Sequence, residues 1–105
     1  MLQFLKNLFS KKDESELKKS FNKDAFLVDV RTPQEFANGS VKGAVNIPLN
    51  NIESKLQTFK NKATIIVFCR SGNRSNQAKN FLLQNNIPNV INGGTWQNVD
   101  KFINN

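Results

Sequence analysis

Cys69 is the only cysteine in the chain, and the residues around it are the ones whose types and spacing suit chemistry. An apolar run, Ile65-Ile66-Val67-Phe68, leads into the thiol. The loop Cys69-Arg70-Ser71-Gly72-Asn73-Arg74-Ser75 follows it, and then a helical pattern. Such a layout aims successive backbone N–H groups and the positive end of a helix at one sulfur. The thiolate is the reactive form of cysteine, and donors of this kind stabilise it. Gly72 lets the loop curl without a Cβ clash. Arg70 and Arg74 add fixed positive charge suited to an oxyanion. A lone cysteine after an apolar run also serves as a small buried hydrophobe. A packed core, however, has no use for the flanking Arg-Ser-Gly-Asn-Arg.

Absences narrow the chemistry. The chain has no histidine, so neither an imidazole base nor a histidine metal ligand assists Cys69. One cysteine excludes an intramolecular disulfide and a cysteine-rich zinc site. The expectation is a thiol that works without metal or cofactor, activated by backbone dipoles and nearby cations. Four residues separate Cys69 from Arg74. Cysteine phosphatases place one more there and so encircle a phosphate. The tighter ring suits a single outer sulfur carried on Cys69, which argues for sulfur transfer over phosphoryl transfer. Arsenate reduction would want a resolving thiol that the chain lacks.

The elements that must position this loop alternate in type. Glu14–Phe21 reads as a short helix. Ala25–Val30 reads as a buried strand. Thr32-Pro33-Gln34-Glu35 is a capping box, with Pro33 at the first helical position. Phe36 turns that helix inward and Gly39 ends it. Ala44–Ile47 is a second strand closed by Pro48, and Asn51–Leu56 a short amphipathic helix. Thr64–Phe68 is the central strand, Gln77–Leu83 the helix after the loop, and Asn89–Asn92 the last strand. Gly93-Gly94 reads as a turn, Thr95 as a cap, and Trp96, Val99, Phe102 and Ile103 as the apolar side of a closing helix. Short, continuously apolar strands imply burial on both faces. The expected fold is α/β, a small parallel sheet of about four to five strands with helices on both faces. In such sheets the site lies beyond the carboxyl ends of the strands, where Cys69 falls.

The chain resembles the single-domain rhodanese (thiosulfate sulfurtransferase) family. The resemblance rests on Leu27-Val28-Asp29-Val30-Arg31-Thr32-Pro33-Gln34-Glu35-Phe36, Asn38-Gly39-Ser40-Val41-Lys42-Gly43-Ala44 and Asn46-Ile47-Pro48. It continues through Ile66 to Ser75 and closes with Asn92-Gly93-Gly94-Thr95-Trp96, covering residues 13–105. The resemblance implies a double displacement. Cys69 takes the outer sulfur of an anionic donor such as thiosulfate, becomes a persulfide, and passes the sulfur to an acceptor. That acceptor is a thiol or cyanide, or a sulfur-relay protein. It further implies that the N–H groups of Arg70, Ser71, Gly72, Asn73 and Arg74 hold the persulfide, and that the Arg70 and Arg74 side chains attract the donor. Asp29 and Arg31 end another strand and either support the loop or form a structural ion pair. Ser40 stands where family members commonly carry histidine. Serine hydrogen-bonds but does not titrate near neutrality. The alternatives are a non-catalytic binding or regulatory module and a cysteine phosphatase or arsenate reductase.

The bulk numbers agree with one small domain at 13–105. The 105 residues carry a net charge of +7 and are 38% hydrophobic, enough for one modest core. The positive balance favours anionic partners. Nucleic acid is not among those expected, since the lysines are dispersed and no aromatic-interleaved basic motif appears. In residues 1–12, Leu2, Leu5, Leu8 and Phe9 fall near one helical face. The segment reads as a docked helix or a loosely held arm rather than a membrane-surface helix. It is not a convincing signal peptide, and no run is long enough to span a membrane. A free thiol without an export signal favours the cytoplasm.

Overall fold

The computed structural model describes residue 15 and residues 24–103. The N-terminal segment 1–12 and all but Ser15 of the helix expected at 14–21 lie outside the described residues. Four parallel strands form one sheet: β1 (Phe26–Asp29), β2 (Val45–Asn46), β3 (Ile65–Cys69) and β4 (Val90–Thr95), in the order β2-β1-β3-β4. Helices fill the crossovers and the end of the chain: α1 (Pro33–Ala37), α2 (Leu56–Phe59), α3 (Asn73–Gln84) and α4 (Trp96–Ile103). This is the α/β architecture that the alternation implies.

The unbroken apolar runs reflect the pleat. Successive strand residues face opposite sides, so a sheet covered on both sides needs apolar residues throughout. Every residue of β3 is buried. Ile65, Val67 and Cys69 join Val28, Val30, Phe59, Ala78 and Leu82 on one side of the sheet. Ile66 and Phe68 join Val41, Ile91 and Val99 on the other, where Trp96, Phe102 and Ile103 of α4 pack. The thiol is thus the last side chain of the core on the α3 face. It belongs to the strand itself and does not merely follow it.

Three elements differ from their expected bounds by more than one residue at an end. The helix expected at Asn51–Leu56 is two 3-10 turns, Leu49–Asn51 and Glu53–Lys55, and the α-helical turn comes only at Leu56–Phe59. No side chain caps any of these short pieces, so nothing fixes an α-helical start earlier. Helix α3 begins at Asn73, four residues before the expected Gln77. Its first turn is therefore the second half of the cysteine loop. Gly93-Gly94 is not a turn but part of β4, where the pairing between β3 and β4 shifts register between Val67 and Cys69. Gly94 absorbs that irregularity with φ +80. The cap at Thr95 is present, with Thr95 Oγ1 accepting from the Asn98 N–H at 3.0 Å.

Gly93 is fixed by crowding. A Cβ there would lie 2.5 Å from Val99 Cγ2 and 3.0 Å from Ile66 Cγ2, both in the core under α4. Gly93→Ala is expected to destabilise the fold by about 1–3 kcal/mol, as overpacking does. A denaturant midpoint unchanged from wild type would show that α4 shifts freely.

Candidate active site

The cysteine loop is the shortest path from β3 into α3, and its curl wraps the sulfur. Gly72 sits at φ 98, ψ −13, a left-handed conformation that side-chain-bearing residues rarely adopt. The turn brings two backbone donors onto Cys69 Sγ: the Gly72 N–H at 2.9 Å and the Ser75 N–H at 3.4 Å. Ser75 Oγ lies 3.4 Å from the same sulfur. Cys69 itself is fully buried. Charge gained by Sγ would therefore meet fixed N–H dipoles instead of bulk water.

Ser75 and Asn92 complete this cradle; the Ser75 N–H belongs to the nest that the loop sequence implies, whereas the Ser75 hydroxyl and Asn92 do not stand out in the sequence as site groups. Ser75 Oγ is 2.7 Å from Asn92 Oδ1, which also accepts from the Gly94 N–H at 2.9 Å. Asn92 Nδ2 donates to the Gly72 carbonyl at 3.4 Å. Both side chains are fully buried. Asn92 thereby ties the end of β4 to both residues that donate to the thiol. The signal available in the sequence is a polar residue in the midst of an apolar strand, where burial demands partners.

The arginines expected beside the thiol have different fates. Arg70 is exposed. Arg74 forms a two-pronged ion pair with Glu35, Nη1 to Oε1 at 2.7 Å and Nη2 to Oε2 at 3.0 Å. Glu35 is also the N3 residue of the capping box: its Oε1 accepts from the Thr32 N–H at 3.0 Å while Thr32 Oγ1 accepts from its own N–H at 3.2 Å. One carboxylate thus caps α1 and ties it to the first turn of α3. The Arg74 hydrogen bond, then that of the Thr32 N–H, hold the Glu35 carboxyl down at about 2, from an ordinary 4.5. Glu35 raises Arg74 in return, with smaller contributions from the charges of Cys69 and Asp29.

Asp29 and Arg31 form a buried ion pair. Arg31 Nη2 lies 2.7 Å from Asp29 Oδ2, and the Arg31 backbone N–H and Nε donate to the same carboxylate at 3.0–3.1 Å. Ser40 Oγ, at the position where histidine is common in the resembling family, donates to Asp29 Oδ2 at 2.7 Å. Arg31 Nη2 also donates to the Gly39 carbonyl, and its guanidinium lies 5.5 Å from the Trp96 ring centroid. The pair therefore joins the ends of β1, α1 and α4. Among the described residues no cluster of metal-ligating side chains occurs, and no helix is long and apolar enough to cross a membrane.

Residues 13–97 match the family described as the rhodanese-like domain. The chain belongs to this family. It is 36% identical over 69 residues to a sulfurtransferase of Allochromatium vinosum, a match covering 66% of this chain and 64% of that protein. It is 35% identical over 75 residues to the thiosulfate sulfurtransferase PspE of Escherichia coli, covering 69% and 71% of the two chains. The chain thus spans about two thirds of the length of these relatives. A solved structure described as rhodanese with anions from E. coli superposes with a TM-score of 0.65 at 32% identity, covering 70% of this chain and 89% of that one. Both of these relatives are named as sulfurtransferases, and the sheet and helices of this chain are those of the rhodanese fold.

The sign of the Glu35 shift gives a pH test. A carboxyl held below its ordinary value adds stability that is complete above 4.5 and lost as pH falls toward about 2. Wild type is expected to exceed Glu35→Gln in stability by about 1 kcal/mol or less at neutral pH, as befits a half-exposed pair. The gap in urea midpoints should close as pH falls through that window. A gap independent of pH would mean that the pair adds nothing.

Proposed function

We propose that this protein is a rhodanese-type sulfurtransferase that carries sulfane sulfur as a persulfide on Cys69. The observation that carries the reading is the convergence of the Gly72 and Ser75 N–H groups on a sulfur that no side-chain base touches. The thiolate attacks the outer sulfur of an anionic donor such as thiosulfate. The Sγ–S bond forms as the donor's S–S bond breaks, and sulfite leaves with the bonding pair. The persulfide anion then remains within the ring of loop donors, where Arg70, Ser71, Gly72, Asn73 and Arg74 frame it. A nucleophilic acceptor, a thiol or cyanide or a relay protein, takes the outer sulfur and regenerates the thiolate.

The other residues play supporting roles in this reading. Asn92 and Ser75 fix the donors, and the Asp29–Arg31 pair fixes the neighbouring strand end. Arg74 helps shape the loop through Glu35 more than it clamps a donor. The persulfide needs no metal or cofactor, and the free thiol fits a reducing compartment such as the cytoplasm. The non-catalytic reading has no observation in its favour, because the loop keeps both the thiol and its donors.

Treatment with thiosulfate is expected to add one sulfur to the intact protein, seen by mass spectrometry. Cyanide should remove it with release of thiocyanate. Cys69→Ser should show neither step, a loss of activity to background. No adduct on wild type, or the same adduct on Cys69→Ser, would sink the proposal. Turnover of an aryl phosphate would point to phosphatase chemistry instead.

A further inference from the structure

The dipeptide Asn-Gly occurs at two places in the chain, Asn38-Gly39 and Asn92-Gly93. Such a pair is chemically fragile. The glycine nitrogen can close a five-membered ring onto the asparagine Cγ, and glycine has no Cβ to obstruct the approach. Ring closure needs two freedoms. The side-chain amide must turn, and the backbone between the two residues must leave its folded conformation. The fold treats the two pairs in opposite ways.

Asn92 has neither freedom. Its side chain is fully buried, with Oδ1 accepting from Ser75 Oγ and the Gly94 N–H while Nδ2 donates to the Gly72 carbonyl. Gly93 is held within β4, with Val99 and Ile66 against it. Asn38 has both freedoms. It is exposed, and among the described residues nothing holds its side-chain amide. It follows α1, a helix of five residues with none of them buried. A helix so short has little stability of its own. The Glu35–Arg74 pair fastens its start. Its end rests on long hydrogen bonds, from the Asn38 N–H to the Gln34 and Glu35 carbonyls and from the Gly39 N–H to the Phe36 carbonyl, each at 3.2 Å. An end held in this way opens locally while the sheet stays folded.

We propose that Asn38 is a site of spontaneous deamidation whose isoaspartyl product loosens the buried Asp29–Arg31 pair, and that the fold protects Asn92 from the same reaction. The deprotonated Gly39 nitrogen attacks Asn38 Cγ. The N–Cγ bond forms, the Cγ–Nδ2 bond breaks, and ammonia leaves with the proton. Water then opens the cyclic imide at either carbonyl, giving aspartate or isoaspartate. In isoaspartate the main chain runs through Cβ and Cγ, one atom longer, directly before Gly39. The Gly39 carbonyl accepts from Arg31 Nη2 at 2.6 Å, and a Cβ on Gly39 would lie 3.8 Å from the Trp96 ring. The next residue, Ser40, donates to Asp29 Oδ2 at 2.7 Å. A longer chain at this point displaces both contacts, and a buried charge that loses hydrogen-bond partners is destabilised.

The test ages the folded chain in mildly alkaline buffer, which favours the deprotonated amide. Peptide mass spectrometry reads the gain of one mass unit at each asparagine. Methyl transfer by a protein isoaspartyl methyltransferase reads the isoaspartyl share. Asn38 should convert, mostly to isoaspartate. Asn92 should convert at least about a hundredfold more slowly, because it reacts only through global unfolding. In the urea-unfolded chain the two should convert at similar rates. The urea midpoint of the aged chain should fall. That of Asn38→Gln aged alongside should not, since glutamine closes a larger ring far more slowly. Asn38→Asp, with the new charge on an ordinary backbone, should stay closer to fresh wild type than the isoaspartyl form does. No conversion at Asn38, or equal conversion at Asn92 in the folded chain, would overturn the assignment of the site. An unchanged midpoint in chain converted at Asn38 would overturn the effect on the Asp29–Arg31 pair. Both decisive comparisons use the wild-type chain, so they stand whether or not the variants fold, and neither depends on sulfur transfer.

Discussion

A sulfur at the end of the central strand has to be enclosed by the first few residues after it. That constraint organises the site. Cys69 is the last core side chain of β3, and α3 begins only four residues later at Asn73. The chain meets both demands by turning through a left-handed Gly72, which aims its own N–H at Sγ and starts the helix whose Ser75 N–H points there too. A thiol buried in this way has lost its water. The N–H groups around it are rigid because the strand and helix on either side are packed.

The polar groups around this loop form a scaffold with few loose members. Asn92 fastens Ser75 and the Gly72 carbonyl to β4, the neighbouring strand. The Asp29–Arg31 pair, with Ser40 on the same carboxylate, fastens the end of β1 to the segment after α1. Glu35 links α1 to α3 through Arg74. Among the described residues no buried side-chain polar atom lacks a hydrogen-bond partner. A network satisfied to this degree is stiff, and truncating one partner of its buried ion pair would cost about 3–5 kcal/mol. The positions around the thiol are thus held by interactions that also close the fold. Ser40 shows the same economy. Where a histidine would bring a titratable ring, a hydroxyl supplies a single short hydrogen bond to Asp29 Oδ2.

Much of this is written locally. The apolar run at Ile65–Phe68, the strand at Leu27–Val30, the capping box at Thr32–Glu35 and the Thr95 cap are patterns of residues a few positions apart. Spacing and residue type alone therefore expose them. Misreadings arise where a distant element decides the outcome. Gly93-Gly94 has the composition of a turn, yet it extends β4 because α4 and Ile66 press on Gly93 and leave no room for a side chain. The start of α3 reads late in the sequence because Asn73, Arg74 and Ser75 lack apolar periodicity. Their helical turn is stabilised from outside, by Glu35 and Asn92.

The sequence by itself determined that a lone thiol, in a chain without histidine, sits between a buried strand and a glycine-bearing loop. It determined the alternating α/β order as well, since both depend on neighbouring residues and on a period read along the chain. Tertiary structure decided what the charges around the thiol are for. Arg74 and Glu35 are 39 residues apart, and Ser75 and Asn92 are 17 apart. Pairing at those separations is set by which strands lie side by side and which helix starts abut. No local pattern encodes that, and so an arginine that reads as an anion clamp in the sequence is, in the fold, already neutralised.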